Sequence, residues 1–132
     1  ADNPGLMVGE DSERSGMLSA AADLVRALAV SQVPRVCFVV RKAYTVGLYA
    51  MSGPGFEPAR FWAAPGASIS VFGPKALDLF AQDRDLPEAA RTAIRAMHHH
   101  ALNPHDYEMK GYLDGVIEWP DLRGRLEAFL QK

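Results

Sequence analysis

Three consecutive histidines, a lone cysteine and one small-residue turn are the features of this 132-residue chain whose types and spacing could do chemistry. His98, His99 and His100 carry metal-binding nitrogens, but neighbours on a helix project about 100° apart and cannot converge on one ion. No His-x-x-x-His pair is present either, so they read as a solvated helix face and no metal is expected. His105 lies beyond Asn103-Pro104 and reads as a loop or capping residue. Cys37 stands inside the apolar run VCFVV, where a free cysteine packs as a small hydrophobe more often than it attacks. There is no Gly-x-Ser-x-Gly elbow and no glycine-rich phosphate loop. Side-chain acid–base or nucleophilic work is not the evident contribution of this chain, which leaves the backbone.

The stretch RKAYTVGLYAM, residues 41–51, follows the apolar run VCFVV. A strand that ends in a tight turn and feeds a helix leaves the first-turn N–H groups without intrahelical partners. Val46 and Gly47 stand at such a start. Gly47 lets a ligand come close, and the helix dipole favours developing negative charge there. The same residues also suit an ordinary strand-to-helix turn.

The surrounding elements must position that turn. The opening ADNPGLMVGEDSE is a loop ending in a helix cap at Asp11 or Ser12, and Met17, Ala21, Leu24, Val25 and Leu28 recur at helical spacing until Pro34. RVCFVVRK lacks polar alternation, which predicts a strand covered on both faces and an α/β arrangement. AYTVGLYAM predicts a short helix and SGPGFEPAR a loop. RFWAAPGASISVFG predicts two short extended pieces split at Pro65 and Gly66, after which Gly73-Pro74 opens a helix through KALDLFA. Ala90, Ile94, Met97 and Ala101 mark an amphipathic helix from Pro87 to Asn103-Pro104. A short helix through HDYEMKG, a strand at GVIEW and a last helix from Pro120 burying Leu122, Leu126, Phe129 and Leu130 complete the chain.

With 48% hydrophobic and 23% charged residues, the chain reads as one compact domain or part of a larger one. A net charge of −2 with scattered basic residues gives no stripe for nucleic acid or a membrane surface. No apolar segment reaches the ~18 residues that span a bilayer, and the start has no signal-peptide pattern. A single cysteine suits a reducing compartment, so a cytoplasmic location is expected. The first residue is not Met, as expected of a processed chain or a piece of a longer one.

Four segments in order carry a resemblance. VPRVCFVVRKAYTVGLYAM resembles the strand, turn and helix of the carboxyltransferase component of biotin-dependent acyl-CoA carboxylases, which usually reads Arg-Lys-Ala-Tyr-Gly-Gly-Ala-Tyr. DNPGLMVGEDSE resembles that family's Asp-x-Pro-Gly-Phe loop, with Asp2, Pro4, Gly5, Gly9 and Glu13 in register. FWAAPGASISVFGPKAL resembles its Ala-Trp-Pro segment, and NPHDYEMKGYLDGVIEWPDLRGRL its Asn-Pro-Tyr to Thr-Arg ending. The resemblance implies a crotonase-like fold of strand, strand and helix units in a superhelix. It implies an incomplete domain, with residues 1–132 forming the C-terminal part of a carboxyltransferase domain.

In that family a carboxyl group moves from carboxybiotin to the α-carbon of an acyl-CoA. The resemblance places the N–H groups of Val46 and Gly47 at the ureido oxygen of biotin, and Tyr44, Thr45 and Tyr49 at the substrate, the bulky Tyr49 favouring a short acyl group. It implies a biotin carboxylase or biotin carrier subunit as partner, an N-terminal carboxyltransferase domain of another protomer across the site, and a homo-oligomer. Thr45 and Val46 replace the usual Gly-Gly pair, and Val46 would be strained if it needed a positive φ. Those departures also leave room for a crotonase-type acyl-CoA hydratase or decarboxylase that does not use biotin, and for a non-catalytic assembly domain of the same fold.

Overall fold

The structure is a computed structural model that describes residues 1–7, 9–73, 76, 78, 79, 82, 86–100 and 103–131, with backbone alone at residues 95 and 97–100. Two helices open it, α1 (Glu10–Arg14) and α2 (Met17–Val30). The single helix expected there is broken because Gly16 takes a left-handed φ of 84°, a conformation that costs glycine little. Neither Asp11 nor Ser12 caps it: α1 starts after Gly9, with no side-chain cap.

Two strand pairs follow the same plan. β1 (Val36–Val39) and β2 (Lys42–Tyr44) lead into α3 (Thr45–Ala50), and β3 (Arg60–Ala63) and β4 (Ser68–Ser70) come next. β1 pairs with β3 in parallel, Val36 opposite Arg60, while β2 pairs with β4, Lys42 opposite Ser68. Each pair of strands therefore turns a corner from one sheet to the other. At the corner, Ala64 N donates to Val39 O at 2.9 Å and Ser68 N to Arg41 O at 2.7 Å. β5 (Gly115–Val116) joins β3, giving the order β1-β3-β5. Asp114 sets its register by accepting from Phe61 N at 2.7 Å and donating its own amide to Phe61 O.

The core lies between the two sheets and α3: Cys37, Val39, Ala43, Leu48, Phe61, Ala63, Ala67, Ile69 and Leu113 are buried together. Burial raises the pKa of the Cys37 thiol, as suits a core residue. β1 is not covered on both faces. Cys37 and Val39 point inward while Val36 and Phe38 are half-buried, Phe38 meeting the edge of Trp119 at 5.5 Å.

The remaining described elements are α4 (Glu88–His100), α5 (Pro104–Met109), a 3-10 turn (Trp119–Asp121) and α6 (Leu122–Leu130). The helix expected through KALDLFA lies outside the described residues apart from isolated positions, as do Ala101 and the side chains of Met97 and His98 to His100. Asn103 caps α5 by accepting from His105 N at 3.0 Å, so the cap is the asparagine and His105 is helical. α6 buries none of its residues, and Leu130 is 80% exposed, contrary to the sequence expectation. Among the described residues no helix is long and apolar enough to cross a membrane, and no cluster of metal-binding side chains occurs.

Candidate functional site

The turn between β2 and α3 is built by the first residues of the chain as much as by its own. Ala1 to Asn3 run alongside the β1–β2 corner: Val40 N donates to Ala1 O at 2.8 Å, Asn3 N to Lys42 O at 2.7 Å and Tyr44 N to Asn3 O at 3.1 Å. Arg41 closes the arrangement on Asp2 at 2.9 Å and holds its carboxyl below the usual range. The pair is present above the ordinary carboxylate pKa and loosens as pH falls through the lowered one.

Asn3 then turns its side chain inward. Its Oδ1 accepts from Gly5 N at 2.7 Å and lies over Gly47 so closely that a methyl group there would sit 2.3 Å away. Gly5, with φ 109°, lets Thr45 Oγ1 come within 2.9 Å of where a β-carbon would be. Thr45 itself has φ 50°. The left-handed strain therefore falls on Thr45, which stands for the family's first glycine, and Val46 escapes it. Left-handed backbone costs an L-residue roughly 1–2 kcal/mol, and the packing against Gly5 holds it in place.

At the start of α3, Tyr44 is the capping residue yet gives no side-chain cap hydrogen bond. The N–H groups of the first turn have no intrahelical acceptor, and that end carries the positive pole of the helix. Beside it opens a cavity of 280 Å³ lined by residues that include Thr45, Val46, Tyr49, Ile69, Ser70 and Tyr107. Thr45, Val46 and Tyr49 thus share one cavity, and Val46 and Tyr49 are half exposed. Gly47 is buried beneath Asn3. Tyr44 is buried behind the cavity, its hydroxyl on Ser68 Oγ at 2.8 Å and its ring against Gly73. Sequence reasoning passed over Asn3 and Tyr107. Asn3 had a visible signal in the Asn-Pro-Gly turn, whereas Tyr107 approaches only through tertiary packing.

A mostly apolar hollow lies beside a helix start whose first-turn N–H groups lack intrahelical acceptors, an end that favours negative charge. A family model described as the carboxyl transferase domain matches residues 1–132. The chain belongs to this family.

Relatives of this carboxyl transferase domain agree. It is 36% identical over its whole length to the uncharacterized carboxylase YngE of Bacillus subtilis, of which it spans 28%. It is 32% identical over 90% of its length to the biotin-dependent 3-methylcrotonyl-coenzyme A carboxylase beta1 subunit of Mycobacterium tuberculosis, spanning 25% of that protein. Among solved structures, transcarboxylase 12S, a hexamer with methylmalonyl-coenzyme A bound, superposes with a TM-score of 0.81 at 26% identity, over 97% of this chain and 25% of that one. The beta subunit of Pseudomonas aeruginosa geranyl-CoA carboxylase gives 0.79 at 26% identity, over 97% and 29%. The crotonase-like fold is thereby established, and the chain spans about a quarter of the length of these proteins.

Proposed function

We propose that residues 1–132 are the C-terminal, biotin-side part of the carboxyltransferase of a biotin-dependent acyl-CoA carboxylase, which moves a carboxyl group to the α-carbon of a short acyl-CoA. The observation that carries this reading is the cavity walled by Thr45, Val46 and Tyr49 at the uncapped start of α3, in a chain matched along its whole length by the family. The amides at the start of α3 suit the ureido oxygen of biotin, and the apolar walls of the adjoining cavity suit an acyl chain. Carboxybiotin, carried on a partner, supplies an activated carboxyl group.

The Val46 and Gly47 amides, at the start of α3, would donate to the ureido oxygen as negative charge grows on it. Donors fixed in place before the reaction are worth more where a bound substrate excludes water than in water itself. Backbone groups do this work, so Thr45 and Val46 can replace glycines as long as the turn keeps its shape, and Thr45 takes the left-handed strain. Tyr49, one turn further along α3, lines the cavity and would narrow it for an acyl group. A biotin carboxylase or carrier subunit, and an N-terminal carboxyltransferase domain of another protomer within a homo-oligomer, are the partners this reading requires. Family membership weighs against a hydratase or a scaffold of the same fold.

The full-length subunit is expected to exchange a carboxyl group from malonyl-CoA or methylmalonyl-CoA to free biotin. A folded oligomer that exchanges with neither would defeat the reading.

A further inference from the structure

One wall residue of the cavity comes from far along the chain. Tyr107 sits on α5, more than fifty residues after Tyr49, and lines the same hollow. Its backbone is pinned where α5 ends: Tyr112 N and Leu113 N donate to Tyr107 O at 2.8 and 3.3 Å. The start of α5 is held by the Asn103 cap, and Glu108 ties the helix to β5 by accepting from Val116 N at 3.2 Å.

The ring is placed as firmly as the backbone. It packs against the buried core cluster, and the Tyr112 ring meets it edge-on at 6.0 Å and 65°. Burial first, then the neighbouring Tyr49 and Tyr112 phenols, raises the pKa of its hydroxyl. Ligand cavities commonly measure about 300–1,000 Å³, so 280 Å³ is a small one that two tyrosine rings help to enclose.

We propose that Tyr107 is a specificity-determining residue for the acyl group: its ring, with that of Tyr49, limits the depth open to the acyl chain. This rests on the carboxyltransferase reading above. In a filled apolar pocket one methylene changes kcat/KM by roughly 10–200-fold, so removing a ring should be visible as a change in chain-length preference.

The test compares propionyl-, butyryl- and hexanoyl-CoA in the full-length subunit assembled with its partners, reading kcat/KM and calorimetric dissociation constants. Tyr107→Ala is expected to raise the ratio of hexanoyl- to propionyl-CoA by about tenfold in both readouts. Tyr107→Phe is expected to keep it within about twofold, because ring volume and not the hydroxyl sets the limit. Should Tyr107→Ala fail to assemble, Tyr107→Leu, which still fills space against Tyr112, is expected to raise the ratio by about threefold. A merely structural residue would weaken all acyl-CoAs equally, and an unchanged ratio in the folded variant overturns the proposal. A wild-type enzyme that carboxylates neither these three nor acetyl-CoA defeats the carboxyltransferase reading instead.

Discussion

Replacing Val46 with proline is expected to lower kcat for carboxyl transfer by about 10²–10³-fold while leaving KM for acyl-CoA within about twofold, because one proposed donor to the developing oxyanion is removed. Proline removes the N–H, and the first turn of a helix tolerates it because that N–H has no intrahelical partner; its ring also restricts Thr45 before it, so Thr45→Gly combined with Val46→Pro controls for the turn. Val46→Ala keeps the amide and removes only a half-exposed side chain, so it is expected to stay within a few-fold of wild type. Steady-state kinetics on oligomers of unchanged size and circular dichroism separate the two. Wild-type turnover in Val46→Pro would remove that amide from the mechanism.

Gly47→Ala is expected to damage stability and rate together. The added methyl would lie 2.3 Å from Asn3 Oδ1 and 2.6 Å from Asn3 Cγ. Asn3 cannot simply swing aside, since that oxygen accepts from Gly5 N and its backbone is bonded to Lys42 and Tyr44. Forcing such a contact costs about 1–3 kcal/mol, read as a lower denaturant midpoint. A displacement of about 1 Å at the amides costs up to roughly 100-fold in transfer rate. Adding Asn3→Ala to Gly47→Ala makes room for the methyl and is expected to recover part of both losses, a coupling that a double-mutant cycle measures. Full stability and rate in Gly47→Ala alone would show that the loop does not hold the turn.

Much of this architecture is legible from residue pattern, and its failures share a cause. The breaks at Pro65-Gly66 and Asn103-Pro104 are local chemistry, so β3, β4 and the start of α5 fall where turn residues place them. Gly16 was hidden inside a helical pattern because a glycine is compatible with both a helix and a left-handed break. Coverage of β1 and α6 depends on neighbours that local periodicity does not contain, which is why Phe38 and Leu130 are more exposed than their apolar character suggests. At the site, the order Tyr44 to Tyr49 marks the turn. Which residue bears the left-handed strain follows from Gly5 and Asn3, forty residues upstream and in contact only after folding.

The most direct measurement is a crystal structure of the full-length subunit with biotin bound. The ureido oxygen is expected about 2.7–3.1 Å from both Val46 N and Gly47 N, with Thr45 still left-handed. A ureido oxygen held by other donors, with these two amides bonded to water or protein, would contradict their assignment.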